Sequence, residues 1–165
     1  MFEFDIVTLS DEFYECHSKE EFPELLISNG CRKYNLILYD QQQDYYVAVP
    51  FRSHVNHNNG YHFKASKRSQ RTLSGLDYSK AVILTDDSFI GEQSRIDADE
   101  YTEFLQNIAT IQDDIFEYIE TYKQIVSGNM EMSTEEYRRS YGYSSLKYFH
   151  EELELEKAEQ CEEQE

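Results

Sequence analysis

Between Tyr101 and Val126, Tyr101, Phe104, Leu105, Ile108, Ile111, Ile115, Tyr118, Ile119, Tyr122, Ile125 and Val126 recur at three- and four-residue spacing. That period predicts one long amphipathic helix with its apolar face against a core. Asp97 and Glu100 read as a capping box at its start, and Gly128 as its stop. Two further helix starts follow. Ser133 with Glu136 opens a short helix near Tyr137. Ser144 or Ser145 opens another that carries Leu146, Phe149 and Leu153.

The first half of the chain has a different period. Phe2–Leu9 alternates apolar residues with acids and predicts a strand. Glu12–Cys16 reads as a turn or short continuation, and Lys19–Leu26 as a weak helical pattern interrupted by Pro23. Asn29-Gly30 marks a turn. The clearest β signal is the pair Tyr34–Tyr39 and Tyr45–Phe51, joined by the polar run Asp40–Asp44, which predicts a hairpin. Pro50 should end or bulge its second strand, because proline gives no N–H to the ladder. Tyr61–Lys64 and Ala81–Leu84 are short strand candidates. Ala65–Ser74 has no apolar period and reads as a mobile surface loop, closed off by Gly75–Asp77. Strands first and helices later define an α+β domain, a small antiparallel sheet curled toward a barrel with C-terminal helices packed on it. Residues 1–155 form that single domain. Residues 156–165 are Glu- and Gln-rich, lack an apolar anchor, and read as an acidic tail without fixed structure.

Charge is unevenly spread. The chain of 165 residues carries −18. The window Phe51–Lys80 nevertheless holds Arg52, Lys64, Lys67, Arg68, Arg71 and Lys80 against one acid, Asp77, a local +5 that leaves −23 on the remainder. A cationic window in an acidic chain points to an anionic ligand held at one place. Cys16, Cys31 and Cys161 are odd in number and widely spaced, which fits reduced thiols in a cytoplasmic protein rather than a disulfide framework. No run is long and apolar enough to predict a membrane span.

The same window carries the groups that metal-independent RNA cleavage needs: a base, a cation or donor for the charged phosphorane, and an acid for the leaving oxygen. Arg52, Ser53 and His57 follow directly on the strand ending near Pro50 and are the catalytic candidates. Lys64, Lys67, Arg68, Arg71, Lys80 and Tyr78 are candidate RNA contacts. His54, His57 and His62 with Asp77 are the competing zinc set, but their spacing matches neither HExxH nor paired CxxC, so no metal or cofactor is expected. The phosphate-binding glycine motifs and the G-x-S-x-G elbow are absent.

Three stretches carry a family likeness: Tyr45–His57 (YYVAVPFRSHVNH), the run from Gly75 to Ala81 (GLDYSKA), and Tyr143–His150 (YSSLKYFH). In this order they resemble the endoribonuclease toxins of type III toxin–antitoxin systems, the ToxN, AbiQ and TenpN group, with TenpN-like members nearest. The resemblance implies a Kid/MazF-like barrel with added helices and RNA cleavage by metal-independent transesterification to a cyclic phosphate. It also implies inhibition by a repeat-derived small RNA antitoxin, higher-order protein–RNA assembly, and growth arrest in phage defence on cellular or phage RNA. Carried over, the serine after the proline-bearing strand is Ser53 and the following histidine is His57. Arg52 stands where the family has Thr. The family's Lys after the serine is missing, with His54 and Val55 in its place, so Arg52 and Lys64 are the replacement cations. Two alternatives stand beside this reading. One is a non-enzymatic acidic module that binds a basic protein or mimics nucleic acid. The other is a MazF-type RNase with a protein antitoxin.

Overall fold

The computed structural model describes residues 3–25 and 34–155. β1 (Phe4–Leu9), β2 (Tyr34–Asp40), β3 (Tyr45–Arg52), β4 (Gly60–His62), β5 (Gly75–Asp77), β6 (Val82–Leu84) and β7 (Ile90–Gln93) form a seven-stranded antiparallel sheet. Its order is β4-β5-β3-β2-β1-β7, with β6 also paired to β3. Helices α1 (Asp11–Cys16), α2 (Ser69–Thr72), α3 (Ala98–Val126) and α4 (Thr134–Tyr141) complete an α+β domain.

The expected hairpin forms, in register from Asn35 opposite Pro50 to Asp40 opposite Tyr45. The Asp40 carboxylate accepts from the N–H groups of Gln42 and Gln43, and Asp44 takes a left-handed φ of 54° to close the turn. β3 is the central strand, and Val47–Phe51 are buried without alternation because both faces are covered. It does not stop at Pro50. On one side Tyr46–Ala48 pair with β6 and Phe51–Arg52 pair with β5. Pro50, which has no N–H to give, falls where the partner changes.

Leu36, Leu38, Val47 and Val49 from the sheet are fully buried, and Phe104, Ile111, Ile115 and Ile119 of α3 join them in one core. Tyr101 and Leu105, expected on the core face, remain 40% and 43% exposed. The capping box at Asp97 does not form. The Asp97 side chain makes no cap hydrogen bond, and Glu100 turns inward to a buried cluster instead. The Ser133 cap does form, accepting from Glu136 N–H at 3.2 Å. The last expected helix shrinks to a single 3₁₀ turn at Ser145–Tyr148, capped by Ser144, but Leu146, Phe149 and Leu153 are buried as their pattern requires.

Three further differences concern loops. Asp11–Cys16 is helical, capped by Ser10, whereas residues 19–25 are turns. Gly75–Asp77 is a strand rather than a break, and β7 carries no sequence signal strong enough to predict it. Residues 65–74 are not a mobile loop: α2 lies within them, and several bonds tie them to the start of α3. Among the described residues no helix is long and apolar enough to cross a membrane. Asn29-Gly30, Cys31, Cys161 and the acidic tail lie outside the described residues.

Candidate functional site

Where β3 leaves the hairpin, Arg52 pairs with Gly75 of β5. Antiparallel pairing puts Arg52, Gly75 and Asp77 on one face, so the guanidinium reaches diagonally across the glycine to the Asp77 carboxylate. Gly75 is required there: a Cβ would lie 2.0 Å from the Tyr61 carbonyl oxygen. Asp77 is also the cap of the following 3₁₀ turn, Tyr78–Lys80. Its Oδ1 accepts from Ser79 N–H at 3.0 Å and from Ser79 Oγ at 2.5 Å. Its Oδ2 accepts from Arg52 Nη1 at 2.7 Å.

The segment after Arg52 folds back over this face. His54 takes φ 60° and donates its N–H to Thr72, and Val55 N–H bonds Leu73 at 3.0 Å. Buried Val55 then seats the loop, and Tyr78 N–H bonds Asn59 at 3.0 Å. His57 thereby lies with Nε2 3.2 Å from Asp77 Oδ1, while its Nδ1 accepts from Asn59 N–H at 3.1 Å. That backbone donor makes Nδ1 the acceptor with the free lone pair, so in the neutral ring Nε2 carries the proton on the side of Asp77. Asp77 is wholly buried, whereas the Arg52 and His57 side chains are 29% and 37% exposed. One buried carboxylate therefore lies beside a guanidinium and an imidazole, each of them partly exposed.

His57 lines an open cleft of about 450 Å³, together with Asn58, Asn59, Glu136, Arg139 and Ser140. The Asn59 side-chain amide donates to the Arg139 carbonyl at 2.9 Å and ties the loop to α4. Ser53 is half-buried beside Arg52, and its side chain makes no hydrogen bond among the described residues.

The other expected contacts divide. Arg68 grips Glu100 with Nε at 3.0 Å and Nη2 at 2.9 Å, and the Ser66 and Ser74 hydroxyls donate to the same buried carboxylate. Lys80 Nζ reaches Glu24 at 3.0 Å and the Tyr143 carbonyl at 2.7 Å, bridging two segments. Arg52, Arg68 and Lys80 are thus neutralised from within the fold. Lys64, Lys67 and Arg71 are exposed. The backbone N–H groups of Lys64 and Lys67 bind Glu103 and Asp99, which leaves the Lys64 and Lys67 side chains directed outward from the first turns of α3. Tyr61 donates to the same Glu103 at 3.1 Å, and burial, then the Glu103 charge, pushes its hydroxyl up to about 12.

Tyr78, expected as an RNA contact, is only 5% exposed and packs beside Tyr118, so no base reaches it in this arrangement. Tyr143 is 70% exposed and was not among the expected RNA contacts. Ser79, Asn59 and Arg139 were also missed. The Asp77-Tyr78-Ser79 sequence is a recognisable Asx-turn signal and would have found Ser79. Asn59 and Arg139 come from segments 80 residues apart and had no local signal. The zinc set does not assemble. His62 Nε2 lies 2.8 Å from the Val55 carbonyl and His54 is exposed. No three His, Cys, Asp or Glu side chains among the described residues converge in metal-binding geometry.

Comparison of the chain with known protein families, with curated proteins and with solved structures finds no match.

Proposed function

We propose that this protein is a cytoplasmic endoribonuclease toxin of the type III toxin–antitoxin kind. It cleaves RNA without metal and is held in check by a repeat-derived small RNA, in growth arrest and phage defence. On this reading the sheet and its added helices are a variant of the Kid/MazF-like barrel. The single observation that carries the proposal is the Asp77 centre: Arg52 and His57 converge on one buried carboxylate, and His57 also lines an open cleft.

The chemistry follows from the atoms. The His57 Nδ1 lone pair exchanges its Asn59 contact for the 2′-hydroxyl and takes its proton. The 2′-oxygen attacks phosphorus, and the P–O5′ bond breaks to leave a 2′,3′-cyclic phosphate. The leaving 5′-oxygen takes a proton from solvent in the open cleft, and His57 returns the proton it took to solvent, so the proton count closes. Arg52 has N–H groups beyond the one given to Asp77, and these with the Ser53 hydroxyl stabilise the phosphorane. Asp77 positions both groups. Lys64, Lys67 and Arg71 supply sequence-independent phosphate contact. Arg68, Lys80 and Tyr78 drop to structural roles.

The test is growth arrest on expression without the RNA, together with RNA cleavage in EDTA. His57→Ala and Ser53→Ala should each lose both, by about 100-fold or more in rate, while circular dichroism is unchanged. Full activity in both variants, or cleavage that vanishes with chelator, overturns the proposal. The internal neutralisation of Arg52, Arg68 and Lys80 favours a second reading, a non-enzymatic acidic module for a basic protein. It requires wild-type protein that neither cleaves RNA nor arrests growth.

A further inference from the structure

The cleft of about 450 Å³ beside His57 has its second wall on α4, where Glu136, Arg139 and Ser140 line it. That wall is fixed from two sides. Tyr118 of α3 donates its hydroxyl to the Ser140 carbonyl at 2.7 Å, and the Asn59 side chain donates to the Arg139 carbonyl at 2.9 Å. The Arg139 side chain is not held in this way. It is 74% exposed, and its ion pair is a long contact of 3.9 Å to Glu135, one turn back and more exposed still. Such a pair contributes little in water. Arg139 is also the one Lys or Arg among the lining residues, and Glu136 is the one acid. Arg52 is not among them, and it gives a hydrogen bond to Asp77.

We propose that Arg139 holds the phosphodiester that enters the cleft beside His57. In a chain of net charge −18, a polyanion is attracted only where a local cation is uncommitted. A guanidinium presents its N–H groups as a planar fork to two phosphate oxygens. Exposure leaves this one free to swing onto the ligand. The Asn59 bond keeps its helix turn against the His57 loop, so the gripped phosphate stays beside the imidazole. Glu136, one turn back on the same wall, repels the same anion and tempers the contact. The inference rests on the cleavage reading for the class of ligand, a single-stranded RNA, and adds the residue that grips its phosphate.

A short, labelled, single-stranded 2′-deoxy oligonucleotide lacks the attacking hydroxyl, so its binding tests the contact apart from the reaction. In fluorescence anisotropy with the full-length protein, Arg139→Ala should weaken binding about fivefold or more. It should also reduce the log–log salt slope by about 0.7, the single-strand value for one phosphate. The substitution keeps the backbone carbonyl that Asn59 binds, so the loop stays tied to α4. Arg138→Ala removes the same charge from the same turn, but Arg138 does not line the cleft. It should leave affinity within about twofold. Glu136→Gln should tighten binding by about twofold. Equal losses in the Arg138 and Arg139 variants, an Arg139 variant with unchanged affinity and slope, or wild-type protein that does not bind the oligonucleotide overturns the proposal. Arg139-dependent binding by a protein that leaves RNA intact supports the contact and refutes the cleavage reading alone.

Discussion

Removing the Asp77 carboxylate is the sharpest perturbation the fold offers. Asp77 is wholly buried, accepts three hydrogen bonds, from Arg52 and both donors of Ser79, and lies 3.2 Å from His57 Nε2. Breaking a buried ion pair from one side costs about 3–5 kcal/mol, because the remaining charge stays behind. Asp77→Ala should fall near the low end, about 3 kcal/mol, since Arg52 and His57 keep 29% and 37% exposure and rewet. Arg52→Ala should cost about as much or more, since it strands a carboxylate that has no exposure of its own. The double variant Arg52→Ala/Asp77→Ala strands neither charge. Its loss should therefore be smaller than the sum of the singles by about 2 kcal/mol. Urea unfolding followed by circular dichroism measures all four corners of the cycle. Costs that add to within about 0.5 kcal/mol would show the two groups to be energetically independent, and the argument for a shared centre would fail with them.

Arg68→Ala should lower the melting temperature clearly, because it strands buried Glu100, whereas Arg71→Ala should leave stability within about 0.5 kcal/mol. In RNA titrations Arg71→Ala should instead flatten the salt dependence by about one unit of slope. Desolvation lowers the His150 pKa below its ordinary value, and Tyr122 lies 2.6 Å from its Nε2. A depressed histidine pKa means that the unfolded chain binds more protons, so its stabilising effect is complete above about pH 6.5 and is lost as the pH falls below that. His150→Gln should accordingly flatten the pH dependence of thermal melting between about pH 7.5 and 5. Burial, then Glu117 and Asp113, raises the Asp114 pKa, so its charge opposes folding at neutral pH. Asp114→Asn should raise the melting temperature at pH 7, and that gain should shrink as acid protonates the wild-type group.

Much of the architecture follows from period and local chemistry alone. The three- and four-residue spacing from Tyr101 onward determined α3. The aromatic and β-branched content of Tyr34–Tyr39 and Tyr45–Phe51 and the polar run between them determined the hairpin, and Ser133 determined the start of α4. These signals are local, because a helix face or a hairpin register is set within a few turns of chain. The same locality explains the failures. Gly75–Asp77 reads as punctuation because a three-residue strand has no period of its own, and it becomes β5 only when β3 and β4 enclose it. Glu100 satisfies a capping-box pattern, yet Arg68, Ser66 and Ser74 offer a buried carboxylate more than one N-cap N–H does.

For the site, sequence supplied the residue types and tertiary structure supplied the roles. Arg52 and His57 stand out from composition and from their place after a strand. That both meet on Asp77, 25 residues beyond Arg52, depends on strand pairing. The six cations of the window look equivalent in sequence. The fold pairs Arg52, Arg68 and Lys80 with Asp77, Glu100 and Glu24, and leaves Lys64, Lys67 and Arg71 facing water. Charge acts through space, and which acid meets which base is set by contacts between segments that no local pattern encodes.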